Sequence, residues 1–329
     1  QTVIDFLAND PSVIVMTETT SNVHHPAFLN SIDTIITPFG ENDFVAFQPE
    51  LLITFGGMLV SKRIKAFLRN YKPLHHWHID TLRAYDTFGC LTHHFELKPN
   101  AFFKQIIPQV KTVESDYFTK GEVIQKLRTI KQSEFLKTIP FSDLKAFETI
   151  LASLPKNIML QISNSSAIRY AQLLKIDPSI SVFCNRGTSG IDGSTSTAIG
   201  ASIGNNQETV LITGDISFLY DSNALWNNYI PKNFKIILVN NGGGGIFRIL
   251  PGHQETEVFN TYFETSHCLT AEHLAKMFNF NYSIASDVQS LTEGLASFYN
   301  QNDKPSILEI FTPTLENDKI LQQYFTVLV

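Results

Sequence analysis

"TVLITGDISFLYDSNALWNNYIPKNFKIILVNNGGGGIF", Thr209 to Phe247, holds two strand-length apolar runs, 209–215 and 234–241, separated by a helix-length segment. The runs are rich in Ile, Leu and Val and lack polar alternation, as do strands of a sheet covered on both faces. Parallel strands need a crossover, and "DSNALWNNYI" (221–230) is the stretch expected to supply its helix. One run closes on Gly214-Asp215 and the other on Asn240-Asn241, ahead of four consecutive glycines. Neighbouring parallel strands end at one edge of the sheet, where ligands of open α/β sheets bind, so an acid and an amide are expected to meet there.

The same alternation of short apolar runs and amphipathic stretches extends in both directions. The first half shows strand-like "SVIVMT" (12–17), "DTIIT" (33–37), "LLITFGG" (51–57) and "LHHWHID" (74–80). Between the last two, "SKRIKAFLRNY" (61–71) places Ile64, Phe67 and Leu68 at helical spacing with cations opposite. After a lysine-rich helical region at 115–140, further strands are expected at "NIMLQIS" (157–163), "SVFCN" (181–185) and "PSILEIF" (305–311). "PFSDLKAFETILASLP" (140–155) reads as a helix capped by Ser142, with Leu144, Phe147, Ile150 and Leu151 as its buried stripe. The pattern predicts an α/β protein of two three-layer αβα domains with mostly parallel sheets, divided near 136–140.

Composition narrows the function class. A formal charge of −6 and the lack of a long Lys/Arg run argue against nucleic acid and favour small-molecule chemistry. Cys90, Cys184 and Cys268 are widely spaced and form no C-x-x-C pair, which suits a reducing cytoplasm better than a disulfide framework. No apolar run reaches the roughly 20 residues of a membrane span, and no signal-peptide layout opens the chain. Because the chain starts at Gln1 inside a helical-looking stretch, a fragment or processed product with further sequence upstream is expected.

One carboxylate and one amide oxygen beside a glycine turn suit a hard cation such as Mg²⁺, which takes oxygen ligands and often shares them with phosphate. Taken singly, Asp and Asn at strand ends are ordinary turn formers. The ordered set of Gly-Asp, Asn-Asn and the glycine run is much less ordinary. Rival sites are weaker. His75, His76, His78, His93 and His94 lack H-E-x-x-H spacing and an evident third zinc ligand. There is no G-x-S-x-G nucleophile elbow, and no G-x-G-x-x-G follows the first strand.

The Gly-Asp and Asn-Asn pairs resemble the metal and diphosphate signature of thiamine-diphosphate (ThDP) enzymes, with Ile216 where that signature usually has glycine. "SNSSAIR" (163–169), "NRGTSGIDGSTSTAIG" (185–200), "LITGDISFLYDSNAL" (211–225) and "VNNGGGGIFRILP" (239–251) together resemble one branch, the 2-succinyl-5-enolpyruvyl-6-hydroxy-3-cyclohexene-1-carboxylate synthases (MenD type) of menaquinone biosynthesis. The resemblance implies a central Rossmann-like, transhydrogenase dIII-like domain over 1–137 and a ThDP diphosphate-binding domain over 138–329. It implies that Asp215, Asn241 and the Gly243 carbonyl hold Mg²⁺, with Mn²⁺ as an alternative. Ser189, Gly190, Gly214, Ile216, Ser217 and Gly244 would line the cofactor. Ile191 would be the apolar wedge that bends ThDP so that its own imino nitrogen can take the thiazolium proton, the protein supplying orientation.

The same resemblance implies decarboxylation of 2-oxoglutarate and addition of the succinyl unit to isochorismate. Both are dicarboxylates, and Arg169 and Arg186 stand just past strand ends, where they could pair with carboxylates. Ser165 and Asn164 could add neutral hydrogen bonds, Lys62 and Arg63 would reach the pocket from the first domain, and Ile246 and Phe247 would form an apolar wall. The family's catalytic glutamate belongs to a pyrimidine-binding domain preceding the region matched. The expectation is therefore a C-terminal fragment, inactive alone, of a cytoplasmic homodimer or homotetramer. Another ThDP-dependent 2-oxoacid decarboxylase or acetolactate-synthase-like carboligase shares the metal motif. A non-catalytic α/β binding or oligomerisation module would share only the fold.

Overall fold

The computed structural model describes residues 3–205, 207–249 and 256–329. The chain splits into two units, Gln1–Ser133 with Phe325–Val329, and Glu134–Tyr324. No helix among the described residues is long and apolar enough to cross a membrane. Leu250 and Pro251, which close the 239–251 motif, lie outside the described residues.

The first unit contains the strands β1 (Leu51–Phe55), β2 (His75–Ile79) and β3 (Leu91–Phe95), paired in parallel in that order. The Lys62–Asn70 helix follows β1 and buries Ile64, Phe67 and Leu68, as its spacing predicts. Ser61 caps it by accepting from the Ile64 amide at 3.1 Å. In Rossmann-like folds such a helix N-terminus is a phosphate site. Here the buried Glu18 carboxylate stands just ahead of it, accepting from the amides of Val60 at 2.7 Å and Ser61 at 2.8 Å.

Several expected elements of this unit differ. Residues 33–36 belong to a helix, Ile32–Ile36, with Thr37 as its C-cap, instead of a strand. Ile32, Ile35 and Ile36 are all buried at the i, i+3, i+4 spacing of one helical face, and a reading that starts at Asp33 leaves out the first of them. Residues 12–17 make a single bridge, Met16 with Leu29, because the partner stretch is cut short by Pro26 on one side and the Ile32–Ile36 helix on the other. Conversely, "LTHHFE", read for its histidines, is β3.

The second unit is built on β4 (Met159–Ile162), β5 (Ser181–Phe183), β6 (Thr209–Gly214), β7 (Lys235–Asn240), β8 (Asn281–Ala285) and β9 (Ser306–Phe311). They form one parallel sheet in the order β5-β4-β6-β7-β9-β8. β7 is buried at every position, and β6 and β9 at all but their last, which explains their predominantly apolar sequences. Leu211, Ile236, Leu238 and Ile307 from the sheet share a core with Ala198, Ile199, Phe218 and Leu225. The helix Asp143–Ser153 has Ser142 at its N-cap and buries Leu144, Phe147, Ile150 and Leu151, as expected.

The crossover after β6 is the main correction in this unit. Its α-helix is Asp215–Tyr220, with a 3₁₀ turn at Ser222–Trp226 in place of a helix over 221–230. Asp215 favours this early start: an acid in the first turn suits the positive end of a helix, and its Oδ1 accepts from the Ile216 amide at 2.7 Å. Strand order reverses between β4 and β6, the position where open sheets leave a crevice at their carboxyl edge.

Candidate active site

β6 and β7 run side by side with Gly214 opposite Val239, so the residues following each meet at the sheet edge. Asp215 is buried, and its Oδ2 accepts from the amides of Gly242 and Gly243, both at 2.9 Å. His267 Nε2 stands 3.4 Å from the same oxygen. Burial pushes the Asp215 carboxyl above the ordinary range, while the Ile216, Gly243 and Gly242 amides and His267 oppose that shift. The acid therefore ties the end of β6 to the turn after β7.

The turn itself needs bare backbone. Gly243 has φ +154°, and a Cβ there would stand 2.7 Å from the Glu264 carbonyl oxygen. The Gly244 amide donates to that oxygen at 2.5 Å. Glu264 is fixed in turn by its ion pair with Arg248, both side chains being buried. Asn241, also buried, donates through Nδ2 to Asp143 Oδ2 at 2.9 Å, which leaves its oxygen for another partner.

A second set of contacts fixes the loop after β5. Asn164, at the end of β4, donates to the carbonyls of Asn185 at 2.7 Å and Gly190 at 2.6 Å. Its Oδ1 accepts from Arg186 Nη1 at 2.6 Å and from the Cys184 thiol at 3.3 Å. Burial pushes that thiol up to about 11, so it stays protonated and unreactive at neutral pH. Ser217 Oγ donates to the Ile191 carbonyl at 2.5 Å, joining the loop to the first turn of the Asp215–Tyr220 helix.

These elements enclose a cavity of about 120 Å³. Of the residues singled out from the sequence, Asn164, Ser165, Ile191, Gly214, Asp215, Ile216, Ser217, Asn241, Gly243, Gly244, Ile246 and Phe247 line it. Arg186 and Gly190 line a more open recess with Cys184, Thr188 and Asp192. Ser189, with φ +62°, is exposed and lines neither, and Arg169 lies half-buried on the Ser166–Leu173 helix. Lys62 and Arg63 open a helix of the first unit, where the Arg63 guanidinium lies 4.8 Å from the centre of the Phe325 ring.

Sequence reading missed Asp143, which lines the cavity from the first turn of the Asp143–Ser153 helix. Its Oδ1 accepts from Thr312 Oγ1 at 2.5 Å, and burial pushes its carboxyl up to about 6. It also missed His267 and the Arg248–Glu264 pair. No spacing rule could have found them, because Asp143 and Asn241 are 98 residues apart in the chain.

The donor set fits a hard divalent cation with a diphosphate: one carboxylate, one amide oxygen, and glycine backbone open to close approach. Among the described residues no cluster of three His, Cys, Asp or Glu side chains could hold a metal. A site with a single acid, completed by an amide and a carbonyl, forms no such cluster.

Comparison with known proteins places relatives along most of the chain. Residues 165–310 match the family model described as thiamine pyrophosphate enzyme, C-terminal TPP binding domain. The 2-succinyl-5-enolpyruvyl-6-hydroxy-3-cyclohexene-1-carboxylate synthase of Flavobacterium johnsoniae is 68% identical over 98% of this chain and 58% of its own length. That of Flavobacterium psychrophilum is 68% identical over 99% of this chain and 59% of its own. That of Christiangramia forsetii is 51% identical, with 99% and 57% covered. The chain thus spans less than two thirds of the length of these relatives. Over residues 165–310 the chain is similar to the C-terminal TPP binding domain of thiamine pyrophosphate enzymes, and along nearly all of its length it is similar to 2-succinyl-5-enolpyruvyl-6-hydroxy-3-cyclohexene-1-carboxylate synthases.

Proposed function

We propose that the chain provides the cofactor-diphosphate half of a ThDP- and Mg²⁺-dependent synthase that decarboxylates 2-oxoglutarate and joins the succinyl unit to isochorismate. The observation that carries this reading is the meeting of Asp215 and Asn241 at two adjacent strand ends, on one cavity walled by Gly243 and Gly244. Asp215, Asn241 and the Gly243 carbonyl would hold the metal. At about 120 Å³ the cavity is well below the roughly 300–1,000 Å³ of a complete ligand pocket, which suits a site gripping one end of a larger cofactor. Residues 1–137 would be a central Rossmann-like domain and 138–329 the diphosphate-binding domain. A cytoplasmic homodimer or homotetramer belongs to the same proposal.

ThDP, when bound, supplies a carbon nucleophile that adds to a 2-oxoacid and carries the acyl unit left after loss of CO₂. The chain's own contribution is binding and orientation. Ile191 places an apolar side chain in the cavity, and the Ser217 hydroxyl holds its carbonyl. Asn164 holds the Arg186 guanidinium, whose buried Nε has no hydrogen-bond partner among the described residues and is a donor left over for a substrate carboxylate. Asn164 itself has both amide hydrogens and its oxygen engaged, so it acts on substrate through Arg186 and the 185–190 loop. Ile246 and Phe247 close the cavity with apolar surface.

Calorimetric titration of the chain with ThDP tests the cofactor reading. Binding is expected to require Mg²⁺ and to weaken at least tenfold in Asp215→Ala, and equal affinity in that variant would sink it. The substrate class rests on Arg186. Charge-assisted hydrogen bonds contribute roughly 1.5–3 kcal/mol, so Arg186→Ala in the intact enzyme is expected to raise KM for 2-oxoglutarate roughly 10- to 100-fold. An unaltered KM would favour a carboligase that acts on monocarboxylates.

A further inference from the structure

We propose that Asp143 is a positioning residue that sets which end of the Asn241 side chain faces the cavity, and thereby makes Asn241 an oxygen ligand for a divalent cation. The proposal rests on the metal reading given above. The two ends of a carboxamide are nearly identical in shape, so packing alone does not choose between them. A hydrogen-bond partner does. An ionised carboxylate can only accept, so an amide facing it must present its NH₂ end. Asn241 does this, with Nδ2 2.9 Å from Asp143 Oδ2. The carbonyl end is then the one released from Asp143, and oxygen is the atom that a hard cation takes.

Asp143 can impose this orientation because it is itself held on other sides. Thr312 Oγ1 donates to its Oδ1 at 2.5 Å. Its backbone amide donates to Asn317 Oδ1 at 2.8 Å, and Asn317 Nδ2 donates to the Pro313 carbonyl at 2.7 Å. Ser142 caps the helix that Asp143 opens. Thr312 directly follows β9, the strand paired with β7, so the carboxylate is referenced to the sheet that carries Asn241. Asp215 has no comparable role: its oxygens accept from the backbone amides of Ile216, Gly242 and Gly243.

The swap of Asp143 and Asn241 tests the proposal in the full chain. Asp143→Asn is isosteric but can donate as well as accept, so it no longer dictates the orientation of its partner. Groups that orient metal ligands typically contribute about 10- to 100-fold to metal affinity. Mn²⁺ affinity, read by electron paramagnetic resonance in the presence of ThDP, is therefore expected to fall at least tenfold. In the double variant Asp143→Asn with Asn241→Asp, the carboxylate at 241 offers an oxygen at either end while the amide at 143 donates to one of them. Affinity is expected to recover to within about threefold of the original chain. A role in stability alone would give no such recovery.

A second readout needs no metal. With ¹⁵N-labelled asparagine, the side-chain NH₂ pair of Asn241, identified by its loss in Asn241→Asp, is expected to exchange slowly with solvent in the unsubstituted chain and quickly in Asp143→Asn. An Mn²⁺ affinity within twofold of the original in Asp143→Asn, or a swap variant no tighter than that single variant, overturns the proposal. Should Asp143→Asn not fold, Thr312→Val, which removes the hydroxyl that holds Asp143 Oδ1, is expected to weaken Mn²⁺ binding about threefold, and unchanged binding overturns it equally. If the unsubstituted chain takes up no Mn²⁺ with ThDP while the Asn241 amide is protected by Asp143, the metal reading is what has failed, and the ligand role of Asn241 falls with it.

Discussion

Gly243 shows how little freedom single positions of this site retain. Its φ of +154° is unfavourable for residues with a Cβ, and a Cβ would meet the Glu264 carbonyl at 2.7 Å. Strain of this kind costs on the order of 1–3 kcal/mol. Gly243→Ala is expected to lower stability by about that amount and to weaken ThDP and Mg²⁺ binding together, which denaturant unfolding and calorimetry can check separately. Unchanged cofactor binding in a destabilised chain would show that the turn's shape matters for folding only. Asn164 is the other residue with many ties, since it holds Asn185, Gly190, Arg186 and Cys184. Asn164→Ala removes the acceptor that holds Arg186 Nη1 and, on the proposed function, is expected to raise KM for the 2-oxoacid about tenfold, with a smaller change in kcat. A larger loss in kcat than in KM would argue for direct involvement in the chemistry.

At the scale of elements, the ends of helices and strands do the joining. Asp221 lies beyond the Asp215–Tyr220 helix, yet its carboxylate accepts from the backbone amide of Ser196 at 2.7 Å and its hydroxyl at 2.6 Å, in the first turn of the Ser194–Gly204 helix. It acts as a cap supplied from a different segment, because Gly193 at the N-cap has no side chain to provide one. Removing a cap typically costs about 1 kcal/mol. Asp221→Ala is expected to lower the denaturation midpoint accordingly, with increased hydrogen exchange confined to residues 194–198. Uniformly altered exchange across the unit would contradict a local cap. In the same way Glu309, buried in β9, accepts from Asn240 Nδ2 at 2.7 Å, from the Ala271 amide at 2.9 Å and from Tyr282 Oη at 2.6 Å, bracing the end of β7 next to the metal-type residues.

At the largest scale, the first unit carries an acid-sensitive contact. In the first unit, Thr54 Oγ1 lies 2.8 Å from both His76 Nε2 and His78 Nδ1. A hydroxyl has one hydrogen, so it can donate to one ring and accept from the other only while the rings are not both charged. Burial lowers the affinity of both imidazoles for protons, with mutual histidine repulsion adding to the effect at His76. The folded state then binds fewer protons than the unfolded state, and stability rises with pH across the window below the ordinary histidine value of about 6.5. Lowering the pH from 7.5 to 5 is expected to reduce exchange protection in β1–β3, and His76→Gln is expected to flatten that dependence. Equal protection at both pH values would refute the assignment.

The amino-acid order alone determined the α/β class and the parallel sheet, because strands covered on both faces are predominantly apolar and turns at the carboxyl edge are rich in polar residues and glycine. It also brought Asp215 and Asn241 to one cavity, since adjacent parallel strands end together. Local pattern failed where an element is short: the strand expected at 33–37 is part of a helix whose buried face, Ile32, Ile35 and Ile36, starts one residue earlier, and the crossover began at Asp215 because a carboxylate suits a helix start. Tertiary structure decided everything that depends on distant segments meeting. Asp143 reaches Asn241 across 98 residues, and Glu264 comes against Gly243 and Gly244 from a segment with no motif of its own. Glu18 fills the helix start beyond β1 from more than 40 residues away. Such contacts leave no trace in spacing, since a hydrogen bond depends on atoms lying about 3 Å apart whatever length of chain separates them.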